Sequence, residues 1–370
     1  FANGVMIKIL GMDDSHRSAS HIASQVVPAA LATAEVHGTS GRDFICAIVA
    51  AYDFAVRIGA AVRIAQRERG LDVKGTVGSM AAALAAGRCA GLDRRRLAHA
   101  IALAADMASG TEQYVYDPEP CDTKDLIGGF AARSGIFALS LARAGFLGPS
   151  EALDGEYGFF RAFGPGQMTL DLSDLGQEFA IMSTAFKPHG GCRHTHQAID
   201  AVQAIQRDVA LDPAAIDRVC IRTYRDALEP SFRAAADPPS QQVAGLSIRV
   251  ATALALVKGS AWPDDFLDWD TPAVRRLRHL TELEIGPEFD DAYPEQNGCE
   301  VIVTLQNGAQ HAGRVAYAKG EPEFRMSEAD LRAKFAALTT RILRAEQAEA
   351  LHRACMALDQ AAGVEPLLRL

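Results

Sequence analysis

The chain has few of the features from which chemistry is usually read. Its seven cysteines, at positions 46, 89, 121, 192, 220, 299 and 355, form no CxxC pair and no ladder of short spacings. A disulfide scaffold is therefore a poor expectation, and a reducing cytoplasm fits best. No apolar run approaches the roughly 20 residues of a membrane span, and no basic-then-apolar leader opens the sequence. Phosphate loops of the GxxxxGKS/T type, GxGxxG, GxSxG and HExxH are all missing. That makes nucleotide binding and serine hydrolysis unpromising. Positive charge is also in deficit, with 37 Lys plus Arg against 46 Asp plus Glu and a net charge of −9. Such a balance argues against a nucleic-acid surface or an anionic membrane as partner. It leaves an acidic small molecule open, because a pocket can gather cations locally.

What is present is globular. With 370 residues, 49% of them hydrophobic, about one domain per 150 residues predicts two or three units. The first half reads as helices of small residues. Ser40 with Asp43 forms a capping pair ahead of Ile45, Ile48, Val49, Tyr52, Val56 and Ile58, and Gly70 ends that helix. Asp93 caps another through Leu97 and Ile101, and the stretches 75–91 and 128–145 are so rich in Ala, Gly and Ser that neighbouring backbones can approach closely. After Gly164 the composition shifts through a linker into a mixed unit. There Ile216 to Tyr224 alternates as a strand, and Asn307-Gly308 between two apolar runs marks a hairpin. Helices are expected at about 196–208 and 242–258, and again from Ser327 onward.

Three polar clusters stand out. Asp13, Asp14, Ser15, His16 and His21 precede an apolar helix, either as caps or as a carboxylate that orients an imidazole for proton transfer. Lys124 follows Cys121, Asp122 and Thr123 and heads a glycine- and alanine-rich helix. It is either a solvated charge or a carboxylate ligand. The densest cluster is Lys187, His189, Gly190, Gly191, Cys192, Arg193, His194 and His196. It admits three readings: a metal site, a capped loop with surface histidines, or a site that binds and deprotonates an anion.

Taken in order, several segments resemble the MmgE/PrpD family, which includes 2-methylcitrate dehydratase, cis-aconitate decarboxylase and iminodisuccinate epimerase. They are Phe1-Ala2-Asn3-Gly4, Asp13-Asp14-Ser15 with His21, Pro28-Ala29-Ala30-Leu31-Ala32 and Ser40-Gly41-Arg42-Asp43. Lys124 with Gly129-Phe130-Ala131-Ala132-Arg133-Ser134-Gly135, then Lys187-Pro188 and Cys192-Arg193-His194-Thr195-His196, continue the match. The resemblance implies a mostly α protein with an α+β second domain. A large all-helical bundle spans 1–180 and is completed by 327–370, and a smaller α/β domain spans 181–326. It further implies a site in the cleft between them, a homodimer, no required metal or organic cofactor, and helices upstream of Phe1.

By position, the family's site histidine falls on His21, its threonine on Ser15, and its lysines on Lys124 and Lys187, with Cys192 and His196 following. Three positions depart: a leading aspartate is Gly11, a histidine is Asp72 and a tyrosine is Val250. The leading expectation is a lyase that eliminates water from a small hydroxylated di- or tricarboxylate. His21 would be the base, oriented by Asp13 or Asp14. Lys124, His196, Asp14 and Asp72 complete the catalytic candidates, and Ser15, Lys187, Cys192, Arg193 and His194 the substrate-binding ones. Epimerisation, decarboxylation or a catalytically silent protein are the alternatives, with Asp72 or His194 as an epimerase's second proton donor. Lys124, Lys187 and Arg193 are expected to converge on one cleft.

Overall fold

A computed structural model describes residues 1–117, 121–168, 170 and 172–368. Helices α1 (Ala2–Ile9), α2 (Ala23–His37), α3 (Gly41–Glu68), α4 (Val73–Cys89), α5 (Arg94–Asp106) and α6 (Thr123–Arg143) form the first domain. Its core is built largely of alanine, with Ile58, Met80 and Phe159 among the larger side chains. Local signals set the helix limits. Ser40 Oγ accepts from the Asp43 amide at 3.1 Å and Asp93 Oδ1 from the Arg96 amide at 2.8 Å, satisfying amides that α3 and α5 leave open.

Small residues bring these helices into backbone contact. A Cβ at Gly135 of α6 would lie 2.6 Å from Ala82 Cβ on α4, and one at Gly4 of α1 would lie 2.9 Å from Gly129 Cα on α6. The second contact seats α1 so deeply that Lys8, in its last turn, is buried. By length and composition α3 and α6 would each qualify as a membrane span, which the expectation from uninterrupted apolar runs missed. Both pack against α4 within this domain. A two-strand antiparallel ladder, β1 (Asp14–Ser15) with β2 (Ala185–Phe186), ties the loop before α2 to the start of the second half.

The second domain is a four-stranded sheet of β3 (Ile216–Thr223), β4 (Thr281–Ile285), β5 (Cys299–Leu305) and β6 (Gln310–Val315), ordered β4-β3-β5-β6. Only β3 and β4 are parallel. That pairing needs a long crossover, and it holds α8 (Ile248–Lys258) and α9 (Pro272–His279). With α7 (His196–Asp208) these helices bury Val219, Val301 and Val303 of the sheet against Ile199, Leu254 and Val274. The helix expected over 242–258 is broken. Gln241–Ala244 is a separate turn, and Ser247 caps α8 anew. Val250 lies in this core with no exposure. Helices α10 (Glu328–Thr339), opened by a Ser327/Asp330 capping box, and α11 (Ala345–Met356) follow. The chain then returns to the first domain: Leu358 and Val364 enter its core, and the Gly41 amide donates to the Ala361 carbonyl at 2.9 Å.

Candidate active site

The β1–β2 ladder sets the loop before α2 beside the segment that follows β2. These two and the second domain enclose a cleft of about 270 Å³. Among the described residues, nine Lys or Arg line it against four Asp or Glu. The sign is opposite to that of the chain as a whole.

Asp13 is the hub of one end. Its Oδ2 lies 3.1 Å from His21 Nδ1 and 3.3 Å from Lys8 Nζ, and its Oδ1 lies 3.4 Å from Lys187 Nζ. Burial alone would push this carboxyl up, but His21, Lys8 and Lys187 together hold it well below the usual carboxylate range. His21 Nδ1 also lies 2.7 Å from the Asp14 carbonyl. Both neighbours of Nδ1 are acceptors, so Nδ1 carries the proton and Nε2 keeps its lone pair. Burial pushes the imidazole down to about 3 despite Asp13, so it is neutral near pH 7. The expectation of a histidine near its ordinary value is corrected by this desolvation.

Asp14 has another task. Its Oδ1 accepts from the Ala23 amide at 3.0 Å and its Oδ2 from the Tyr52 hydroxyl at 2.7 Å, capping α2 away from the cleft. The orienting carboxylate is Asp13, and Asp14 as a catalytic candidate is corrected to a cap. Burial, with Asp13 beside it, raises Asp14 to about 6.

Lys124, Lys187 and Arg193 all line the cleft, although they lie far apart in sequence. Their availability differs. Lys187 is buried and donates to the Gly11 carbonyl at 3.0 Å and the Gly191 carbonyl at 3.2 Å, with Asp13 Oδ1 as an ion-pair partner at 3.4 Å. Gly11 and Gly191 both have positive φ, +62° and +75°, which lets their carbonyls face this ammonium. Arg193 spends all five of its N–H groups. Glu321 Oε1 takes two, at 2.9 and 2.6 Å, and the carbonyls of Lys319 and Ala318 and His196 Nδ1 take the rest. Both were expected to bind substrate; Lys187 instead ties the second half to the Gly11 carbonyl, and Arg193 is held by partners within the second half. Among the described residues Lys124 has one ion-pair partner, Asp125 at 3.5 Å, and Arg63 has no ion pair or hydrogen bond.

The histidine-rich cluster divides. His194 and Cys192 line the cleft, and Tyr224 shares a hydrogen bond with His194 Nδ1 at 2.9 Å. His196 is fully buried in the first turn of α7, donating from Nε2 to the Gly190 carbonyl at 3.2 Å and accepting from Arg193 at Nδ1. It does not reach the cleft, so the catalytic expectation for it is corrected to positioning of Arg193. His189 pairs with Asp200 at 2.8 Å. Among the described residues no three His, Cys, Asp or Glu side chains converge as ligands for an ion, so the metal reading of this cluster finds no site. Ser15 sits on β1 at the cleft edge.

Asp72 also lines the cleft, capping α4 through the Lys74 amide at 2.9 Å. Burial pushes its carboxyl up, but Lys74 Nζ at 2.9 Å and the Tyr114 hydroxyl at 2.6 Å overcome that, and its pKa is lowered. An ionised, paired carboxylate has no proton to give, which removes Asp72 as an acid. Sequence reasoning passed over Lys8, Arg63, Lys74 and Tyr114. A lone cation on an amphipathic helix looks like a solvated charge until the opposing wall is known.

A helical domain and a smaller α/β domain with a cation-lined cleft at their boundary define a two-domain architecture. The model of the MmgE/PrpD N-terminal domain matches residues 1–170 and that of the MmgE/PrpD C-terminal domain matches residues 189–360, and the chain belongs to the MmgE/PrpD family. It is similar to the cis-aconitate decarboxylase-like protein oryM of Aspergillus oryzae, at 29% identity over all of this chain and 80% of the relative. The cis-aconitate decarboxylase of Mus musculus is 28% identical over all of this chain and 77% of its own length. For that of Homo sapiens the values are 27%, 95% and 74%.

Proposed function

We propose that the protein is a small-polycarboxylate lyase that breaks a bond at a carbon next to a carboxylate inside the cationic cleft. The observation that carries this reading is the nine-to-four excess of cations in the cleft lining of an acidic chain. Fixed positive charge in a partly desolvated cavity both attracts a polyanion and stabilises the charge that develops as a bond to its α-carbon breaks. Lys124 and Arg63 are the carboxylate ligands, because their donors are not consumed within the protein. His21 presents an open Nε2 lone pair, so it accepts the proton from carbon if water leaves; if CO2 leaves, the departing carboxylate is already ionised and His21 shares Asp13 Oδ2 with Lys8 beside the reacting carbon.

The three relatives are named for decarboxylation, which favours loss of CO2. Proton NMR of the protein with citrate-like hydroxy acids and with cis-aconitate in D2O tests the reading. New alkene signals accompanied by CO2 support it in full, and alkene signals without CO2 support a lyase that expels water. Deuterium exchange without bond cleavage, or no change with any acid, overturns it.

A further inference from the structure

Lys8 is a buried ammonium that the reading above does not use. It lies in the last turn of α1, 3% exposed, on the cleft lining. Its one hydrogen bond among the described residues runs to Asp13 Oδ2 at 3.3 Å. That same oxygen lies 3.1 Å from His21 Nδ1. A single carboxylate oxygen therefore flanks two proton-transfer side chains, one with an open lone pair and one with N–H groups left over. Lys187, on the other side of Asp13, already donates to the Gly11 and Gly191 carbonyls and lies 3.4 Å from Asp13 Oδ1.

We infer that Lys8 is a second catalytic residue of the proposed lyase reaction, delivering from Nζ the proton that carbon takes up when CO2 departs. The inference rests on the lyase reading. In the step, the C–C bond to the departing carboxylate breaks and its electron pair stays on the substrate. Delocalisation toward a neighbouring carboxylate spreads that charge, and the pair then takes a proton from Lys8 Nζ to form a C–H bond. Lys8 is left as a neutral amine and recovers its proton from solvent. No oxidant, reductant or further reactant is consumed.

The surroundings suit this cycle. Asp13 and His21 face Lys8 from the loop before α2, Lys187 from the segment after β2, Lys124 from α6 and Lys74 from α4. Burial lowers the amine to about 7, Asp13 opposes this, and the three lysines add to it. An acid of that strength gives up its proton readily and regains it near neutral pH. Lys74, paired with Asp72, is shifted the other way.

The test uses the full chain with cis-aconitate as probe. Lys8→Met, close in volume and free of the buried charge, is expected to lower kcat by about 10²–10⁴-fold, with binding measured by calorimetry largely retained. Wild-type kcat/KM is expected to fall as pH rises through about 7, where Lys8 loses its proton. The residual activity of Lys8→Met should lack that limb. Lys8→Ala should regain part of its turnover with added methylamine. A flat wild-type profile from weakly acidic to weakly alkaline pH, a limb that persists in Lys8→Met, or near-normal kcat in either variant overturns the inference. Absence of wild-type turnover instead sinks the lyase reading itself.

Discussion

His21 Nδ1 lies 3.1 Å from Asp13 Oδ2 and 2.7 Å from the Asp14 carbonyl, so the Asp13 carboxylate and the Asp14 backbone hold this nitrogen while the Asp14 carboxylate caps α2. Asp13→Asn would remove the charge that orients His21 and holds Lys8 and Lys187, leaving Nδ1 with the Asp14 carbonyl. Turnover should fall by about 10²–10⁴-fold. Asp14→Asn keeps an oxygen for the Ala23 amide, so it should fold and retain most activity. Because the Asp14 carboxyl is raised to about 6 in the folded protein, its protonated form favours folding, and that contribution is lost as pH rises from about 4 through 6. The stability of Asp14→Asn relative to wild type should therefore improve over that interval, as urea unfolding at several pH values would show. Equal kinetic losses in the two variants would contradict the division of labour.

Arg193 and Arg63 separate structural from ligand-binding charge. Arg193→Ala leaves buried Glu321 without its main partner, a loss of about 3–5 kcal/mol for breaking a buried pair. It should appear as a lowered denaturation midpoint. Arg63→Ala breaks no ion pair or hydrogen bond among the described residues, so the midpoint should hold. If Arg63 takes a substrate carboxylate, KM should rise about ten- to a hundredfold, the worth of a hydrogen bond to a charged group. An unchanged KM would remove Arg63 from the site.

Close approach of α4 and α6 gives a third prediction. A Cβ at Gly135 would stand 2.6 Å from both Ala82 Cβ and the Ala83 nitrogen. Gly135→Ala should cost about 1–3 kcal/mol through overpacking, measured by denaturant unfolding, with larger side chains costing more. A stabilised Gly135→Ala would mean that the helices stand further apart.

Features decided within a few residues were legible in the sequence. The Ser40/Asp43 and Asp93 caps and the Asn307-Gly308 hairpin are local hydrogen-bond and turn problems, and the structure solves each as the sequence suggests. His21 and the segment from Lys187 to His194 were also visible, because reactive side chains concentrate there. The phase of α7 was not: it turns His196 into the core while the turn before it leaves Cys192 and His194 on the cleft. Nor did sequence spacing reveal that Lys187 donates to the Gly11 carbonyl and that Arg193 commits donors to Glu321 and to the Ala318 and Lys319 carbonyls, all distant in the chain. Strand β4 escaped notice because Thr281–Ile285 is five residues long, alternates Glu with Leu and Ile, and gains its identity only from parallel pairing with β3. Lys8 was hidden for the same reason, since Gly4 and Gly129 bury it through a contact between helices more than a hundred residues apart.

The most direct test of the central claim is release of labelled CO2 from uniformly 13C-labelled cis-aconitate by wild type and by His21→Ala, followed by 13C NMR. The account predicts CO2 and an unsaturated dicarboxylate in equal amounts with wild type, and a rate about 10²–10⁴-fold lower with His21→Ala. Equal rates in the two proteins, or no CO2 and no other bond cleavage with wild type, would contradict it.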